Sequence, residues 1–494
     1  MTTGVYTQHK KNIVRHNVIQ YAVSILTSKR EDAPCVNRNY VRKVYDFFTL
    51  TEDENRNKVE ALKINPSCIL DWEYLHDSFC PVKRPSDLSI CYLCGPEPNN
   101  DFDEFVSLGV LPQNIWAFEV NRSNYNKALK VYDCENYRQP RIVKQNIETF
   151  FQQTPKKFDI IYIDACGSIP SDQHALKCIS SAFLYHRLVS PGIIISNFAE
   201  PEYTTSYKEL LAQYFFSKSN LLYEFDNAHS QLNGFAYKAL QEKISTNFSS
   251  YYGDFISFVL RDIPGVITPI QRIWKNPYLK QIFDIPSDEC IATTDTFFQN
   301  TNDSTSRFFL AYNYLHNNGY SDSKIDSFIN EIGDYAGLLK SLTQYQMVKS
   351  NKIHYTDDAE DLYNYFEKRG NLHQFLDKPH SNLLFDVLLN QLAYPFHCNT
   401  NKILRYKYTA KSTAMYTDVT AYDECRYIYE WLPALHQISD AFRDCSCQYV
   451  FRFALDGLVK SRQLYNNEFF YQGSVVPDTC AGFLPHKMAP RIEI

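Results

Sequence analysis

The chain has 494 residues, 44% hydrophobic and 21% charged, with 15 glycines and a formal net charge of −6 from 50 basic and 56 acidic side chains. That balance suits a folded protein of about two to four domains, and it excludes dominant disorder, a collagen-like repeat and a generally cationic nucleic-acid coat. No apolar run approaches the about 18 residues of a membrane helix, so no membrane partner is expected, and the opening MTTGVYTQHKKNIVRHN lacks the apolar core of a signal peptide.

Residues 1–85 read as a helical segment. Ile13, Val14, Val18, Ile19, Ala22, Val23 and Ile25 fall on one face near helical period. Lys10, Lys11, Arg15, Lys29, Arg30, Arg38, Arg42 and Lys43 make the segment locally basic, which reads first as a solvated face and second as a dock for a polyanion. Pro81 and Pro85 suggest a hinge. From 86 to 245 short apolar runs alternate with amphipathic stretches. The runs are Leu88–Leu93, Ile115–Val120, Arg141–Gln145, Phe158–Ile163 and Ile193–Ser196, with helix-like Asp101–Leu108, Ser123–Tyr132, Ile147–Gln152 and Ala175–Leu188 between them. Such alternation predicts βαβ units and a mostly parallel sheet. A sixth and a seventh strand are expected near Leu221–Phe225 and Gly234–Tyr237. Residues 246–340, broken by Pro264, Pro269, Pro277 and Pro286, read as a helical connector, and 341–494 as a helical C-terminal domain with its clearest amphipathic stretches at Tyr422–Leu435 and Val450–Leu458.

The 37 tyrosines and 34 phenylalanines read as core material. The 14 cysteines stand at irregular spacings, which points to reduced thiols in a cytoplasmic protein. Cys91-x-x-Cys94 sits in a predicted strand with no second pair to complete four ligands, and Cys445-x-Cys447 lies in a helix-like region, so no metal is expected.

The strand ends carry the chemistry. The first strand runs out at Cys94-Gly95-Pro96-Glu97-Pro98, where a glycine lets the backbone approach a ligand at the carboxyl edge of the sheet. The second ends at Glu119, a carboxylate able to accept hydrogen bonds from both hydroxyls of a ribose, near the usual spacing of about 20 residues beyond the glycine. The third leads to Asn146-Ile147. Asn146 reads equally as a reader of an adenine edge, with Ile147 against the ring face, and as the N-cap of the next helix. The fourth strand, Phe158-Asp159-Ile160-Ile161-Tyr162-Ile163-Asp164, brings Asp164 to the same edge, followed by Ala165-Cys166-Gly167; Cys166 reads as a small buried thiol. Ser190-Pro191-Gly192 turns into the fifth strand.

Together these elements resemble the class I S-adenosylmethionine-dependent methyltransferases over about 150 residues. The resemblance implies an α/β fold with a seven-stranded Rossmann-like sheet, S-adenosyl-L-methionine as cofactor across its carboxyl edge, and a methyl acceptor as partner. It implies cofactor-binding roles for Gly95, Pro96, Glu97, Glu119, Asn146, Ile147 and Asp164, with Asp164 also the candidate catalytic residue, either as a base or as a group that orients the cofactor's amine. The sequence departs from the family in two places. Two prolines replace the further glycines of the first loop and remove two N–H donors, and Asp164-Ala-Cys-Gly stands where an amino-methyltransferase carries Asn/Asp-Pro-Pro-aromatic. The alternative is a degenerate fold that binds a nucleoside or serves as a scaffold, contacting nucleic acid through 402–411, where Lys402, Arg405, Lys407 and Lys411 interleave with Tyr406 and Tyr408. An edge strand with lysines on its wet side explains that stretch as well.

Overall fold

The computed structural model describes residues 9–52, 54, 56–132, 140–165, 167–172, 174–218, 230–277, 323–333, 356–358, 361, 391–410, 412–432, 444–461 and 488–494. Five short apolar runs become strands: β1 (Ile90–Leu93), β2 (Ile115–Phe118), β3 (Arg141–Val143), β4 (Phe158–Asp164) and β5 (Leu188–Ala199). They pair in parallel in the order β3-β2-β1-β4-β5. All but the edge strand β3, whose Arg141 is exposed, are too apolar to remain at a surface: Ile90, Cys91, Ile115, Ala117, Ile160, Ile161, Ile163, Ile193 and Ile195 are fully buried, as expected for a parallel sheet covered on both faces. The intervening helices are α5 (Asn99–Ser107), α6 (Arg122–Val131), α7 (Ile147–Gln153) and α8 (Ala175–Leu184).

The sheet is completed from the far end of the chain. Two-residue β6 (His397–Cys398), then β7 (Leu404–Ala410), β8 (Thr413–Asp423) and β9 (Ile492–Glu493) continue it as β5-β8-β7-β9, with β6 beside β8. β8 is antiparallel to β5, β6 and β7, while β9 runs parallel to β7. Seven substantial strands therefore form one mixed α/β sheet. The sixth and seventh come from 404–423, not from 221–237. Gly234–Tyr237 lies inside the helix Ser230–Thr246, and 221–225 lies outside the described residues. The helical reading of 341–494 is likewise corrected over 397–423. Tyr422 lies in β8, which ends at Asp423, and only Arg426–Tyr429 of the following stretch is helical among the described residues; Val450–Leu458 belongs to the helix Cys445–Ser461.

The N-terminal segment is helical as expected: α1 (His9–Leu26), α2 (Tyr40–Leu50), α3 (Arg56–Ala61) and α4 (Pro66–Phe79). α1 buries Val14, Val18, Ile19, Ala22, Val23, Ile25 and Leu26 and shares one core with β1, α5 and Tyr406, Tyr408 and Val419 of the late strands. The opposite sheet face packs on α7, α8 and helices inserted between β5 and β6, namely α9 (Thr205–Lys218) and the helices Ser230–Thr246, Phe248–Asp262, Thr268–Lys275 and Ser323–Ile332. A third core joins α2 and α4 to Cys425–Leu432 and the helix Cys445–Ser461, with Trp72 fully buried and its indole N–H donating to the Tyr427 carbonyl at 2.9 Å.

The basic segment is not one solvated face. Arg15 and Arg30 are buried. Arg15 pairs with Asp101 at 2.8 Å, Arg38 with Asp77 and Arg42 with Glu73 at 2.8 Å, and Arg30 donates to the carbonyls of Pro81 and Pro191. The expected hinge is pinned: Pro85 opens a 3-10 turn and the neighbouring Lys83 is ion-paired with Asp159. Among the described residues no helix is long and apolar enough to cross a membrane.

Candidate active site

The carboxyl ends of β1 to β5 form one rim. Gly95 leaves β1 with φ +57, in the left-handed region that favours glycine, and a methyl group on it would meet no heavy atom within 4 Å beyond its chain neighbours. Space therefore stands directly over this backbone. Pro96 and Glu97 are exposed, and Glu97 accepts from the Asn100 amide at 3.0 Å. Beneath the loop the Tyr92 hydroxyl donates to the Pro98 carbonyl at 2.6 Å, so the rigidity expected of two prolines is reinforced from the core.

Glu119 lies half-exposed at the tip of β2, with one carboxylate oxygen accepting the Asn121 N–H at 2.6 Å. That bond holds the side chain at the rim and leaves its second oxygen for a ligand. Asn121 caps α6, accepting from the N–H groups of Ser123 and Asn124. Asn146 occupies the N-cap position of α7 yet makes no capping bond through its side chain, and it is exposed. Ile147 beside it is buried. Of the two readings of Asn146, the capping one gains no hydrogen bond.

Asp164 ends β4 with both oxygens engaged. Oδ1 accepts from the Asn197 amide at 2.7 Å, and Oδ2 faces the Lys11 ammonium at 2.9 Å. The Asn197 amide is itself oriented, because its oxygen accepts from the Thr417 hydroxyl at 2.8 Å and from the Tyr408 hydroxyl at 3.4 Å. Burial, and after it the Asp164 carboxylate, push the Tyr408 phenol up to about 12, so it stays a neutral donor. Behind this group Asp101, at the start of α5, is pushed up to about 6 by burial, against the pull of its partner Arg15. Lys11, Arg15, Asn197, Tyr408 and Thr417 thus complete a polar cluster that sequence reading did not assemble. Asn197, ending a strand at the same edge, had a positional signal; Lys11, Tyr408 and Thr417 had none, since their elements dock from remote parts of the chain.

Past Asp164, Cys166 lies outside the described residues. The segment 167–172 is held by the inserted helices. Ser168 and Tyr207 share a hydrogen bond at 2.8 Å, the Ile169 N–H donates to the Tyr252 hydroxyl at 2.9 Å, and the Ser171 N–H donates to Glu331. Burial pushes the Glu331 carboxyl from 4.5 up to about 7, with the Ser171 bond acting against it. The native state thus keeps its proton to higher pH than the unfolded chain, and this contribution to stability is lost as pH rises from about 4.5 through about 7. Glu331→Gln is expected to flatten the fall over that window, by on the order of 1–3 kcal/mol between its ends, as measured by urea unfolding at a series of pH values. An identical slope in the variant would refute this.

In the 402–411 stretch each described cation faces an acidic partner. Arg405 is buried, paired with Asp254 at 2.6 Å and donating to the carbonyls of Gly253 and Ala489. Lys402 pairs with Asp32 at 2.7 Å and Lys407 with Glu493 at 3.6 Å. Tyr406 and Tyr408 are buried, and Lys411 lies outside the described residues. β9 flanks β7 at Tyr406 and Lys407, where the stretch is an inner strand, and Lys402 and Lys407 stay partly exposed.

No family model matches the chain, and no curated protein matches it. Solved structures do. The plantazolicin methyltransferase in complex with a triazolic desmethylPZN analog and SAH aligns with 65% of this chain and 91% of its own at 13% identity and a TM-score of 0.21. The magnesium protoporphyrin IX methyltransferase of Synechocystis with bound SAM aligns with 41% of this chain and 80% of its own at 15% identity and a TM-score of 0.19. An S-adenosylmethionine-dependent methyltransferase of Clostridium acetobutylicum aligns with 35% and 59% at 17% identity and a TM-score of 0.19. The strand pairing described above, and not these similarities, carries the assignment of an α/β fold.

Proposed function

We propose that the chain is an S-adenosylmethionine-dependent methyltransferase acting on an acceptor still to be identified. The observation that supports this most is the rim itself: consecutive parallel strands end in an open left-handed glycine, a half-exposed carboxylate and an exposed amide. These donor and acceptor types fit a nucleoside with an amino-acid tail. Glu119 would take the ribose hydroxyls, Asn146 the adenine edge with Ile147 beneath, and Gly95, Pro96 and Glu97 the wall of the tail pocket. Pro96 and Pro98 bring no N–H to that wall.

The cofactor would supply an electrophilic methyl group on a sulfonium, and the protein's part is alignment and exclusion of water. Asp164 suits an orienting role better than that of a base. An ammonium and an amide already occupy its two oxygens, and both favour its charged form. The scaffold alternative has less support, because a rim kept for packing would have no need of exposed Glu119 and Asn146 side chains beside open space.

Titration calorimetry with S-adenosylhomocysteine tests the reading; saturable one-site heat is expected, and none from folded protein would end it. Gly95→Ala should lose most of that heat, since its methyl group enters the space over the loop. It should lower stability by only about 1–2 kcal/mol, the strain of a left-handed alanine. Undiminished affinity in that variant would remove Gly95 from the site.

A further inference from the structure

We infer that Cys68, Cys447 and Asp444 form a three-donor site for a thiophilic divalent cation of the zinc class. The Sγ atoms of Cys68 and Cys447 and a carboxylate oxygen of Asp444 lie within 4.8 Å of one another. Metal–sulfur bonds of about 2.3 Å in a tetrahedron set donors roughly 3.8 Å apart, so small rotations of χ1 bring these three to the required spacing. Two sulfurs and a carboxylate form a donor set that zinc accepts, with the fourth position left open.

The backbone already fixes this meeting. Cys68 stands in the first turn of α4, and Asp444, Cys445 and Cys447 open the helix Cys445–Ser461. The two starts are joined where the Asn65 N–H donates to the Ser446 hydroxyl at 2.9 Å. Thiols and carboxylate crowd one another. Cys68, Cys445 and Cys447 are half-buried and Asp444 is exposed, which leaves an entry path. A second cluster, Cys35, Asp423 and Cys425, lacks this freedom. It is fully buried, and the Asp423 carboxylate already accepts from the N–H groups of Cys35 and Cys425 and the hydroxyls of Ser190 and Tyr427. A cation at the first site would tie the N-terminal helices to the C-terminal one.

The test uses full-length protein stripped with a chelator under reducing conditions and titrated with cobalt(II). A thiolate-to-cobalt charge-transfer band saturating at one equivalent, displaced by zinc, is expected. It should be lost in Cys68→Ser/Cys447→Ser and kept in Cys178→Ser, whose thiol lies on α8. Asp444→Asn retains a good helix cap and should bind cobalt about 10-fold or more weakly, with an unchanged far-ultraviolet dichroism spectrum. Chelation should lower the thermal midpoint of the wild type and leave that of the double variant unmoved. The absence of a band in wild type, a band undiminished in the double variant, or an Asp444→Asn affinity equal to wild type would each overturn the site. So would a Cys68–Cys447 disulfide recovered quantitatively from freshly isolated, metal-free protein.

Discussion

Glu119→Ala is expected to weaken binding of S-adenosylhomocysteine by roughly 10- to 100-fold, the loss of a hydrogen bond to a charged acceptor worth about 1.5–3 kcal/mol. The Asn121 N–H holds the wild-type carboxylate at the rim, so a ligand pays little to order it, and the alanine variant loses this preorganisation along with the bond. Stability should change by less than about 0.5 kcal/mol, since the side chain is half-exposed and outside any core. Glu119→Gln is the control; it removes an equal charge but keeps an acceptor oxygen for a ribose hydroxyl. Calorimetry on both variants separates the outcomes. Equal losses would mean that only the charge of the rim matters, and no loss at Glu119 would exclude the carboxylate from ribose binding.

Asp418→Ala should destabilise the fold by about 3–5 kcal/mol, the cost of stranding the other member of a buried ion pair. Asp418 is fully buried in β8. It accepts from Arg491 at 2.5 Å and from the Ser257 hydroxyl. Arg491, near the C-terminus, also donates to the carbonyls of Tyr406 and Gly253. One carboxylate therefore joins the reversed strand, an inserted helix and the terminal β9 region. Asp418→Leu/Arg491→Met removes both charges and should cost less than Asp418→Ala alone. Urea unfolding of the three proteins measures the difference; a double variant at least as damaged as the single one would show that packing, not charge pairing, dominates there.

The five parallel strands and the helices between them were legible in the sequence, because each strand is a short run of apolar residues that only burial on both faces satisfies, and Gly95, Glu119 and Asp164 stand at the ends of those runs. The ends were less legible than the runs: β5 extends from Leu188 to Ala199, where the apolar signal covers only Ile193–Ser196. Of the last strands only β7 was signalled, as the strand reading of 402–411. Thr413–Asp423 carries Thr417, Asp418, Thr420 and Asp423 into the interior, a pattern that reads as surface when taken alone. Their polar groups are satisfied by Asn197, Arg491, Ser257 and the N–H group of Cys35, partners tens to hundreds of residues away. Arg405 has the same history, a cation that looks available until Asp254 and two carbonyls surround it.

Local apolar pattern was thus enough to define the parallel sheet and the order of groups along its rim, since hydrophobic burial depends on neighbours in the chain. Which strands close the sheet, which cations are spent inside it, and which thiols meet beneath the helical additions depend on pairings between distant polar groups. Such pairings exist only after the chain has folded back on itself, because a buried charge or amide is tolerated only where its partner arrives with it.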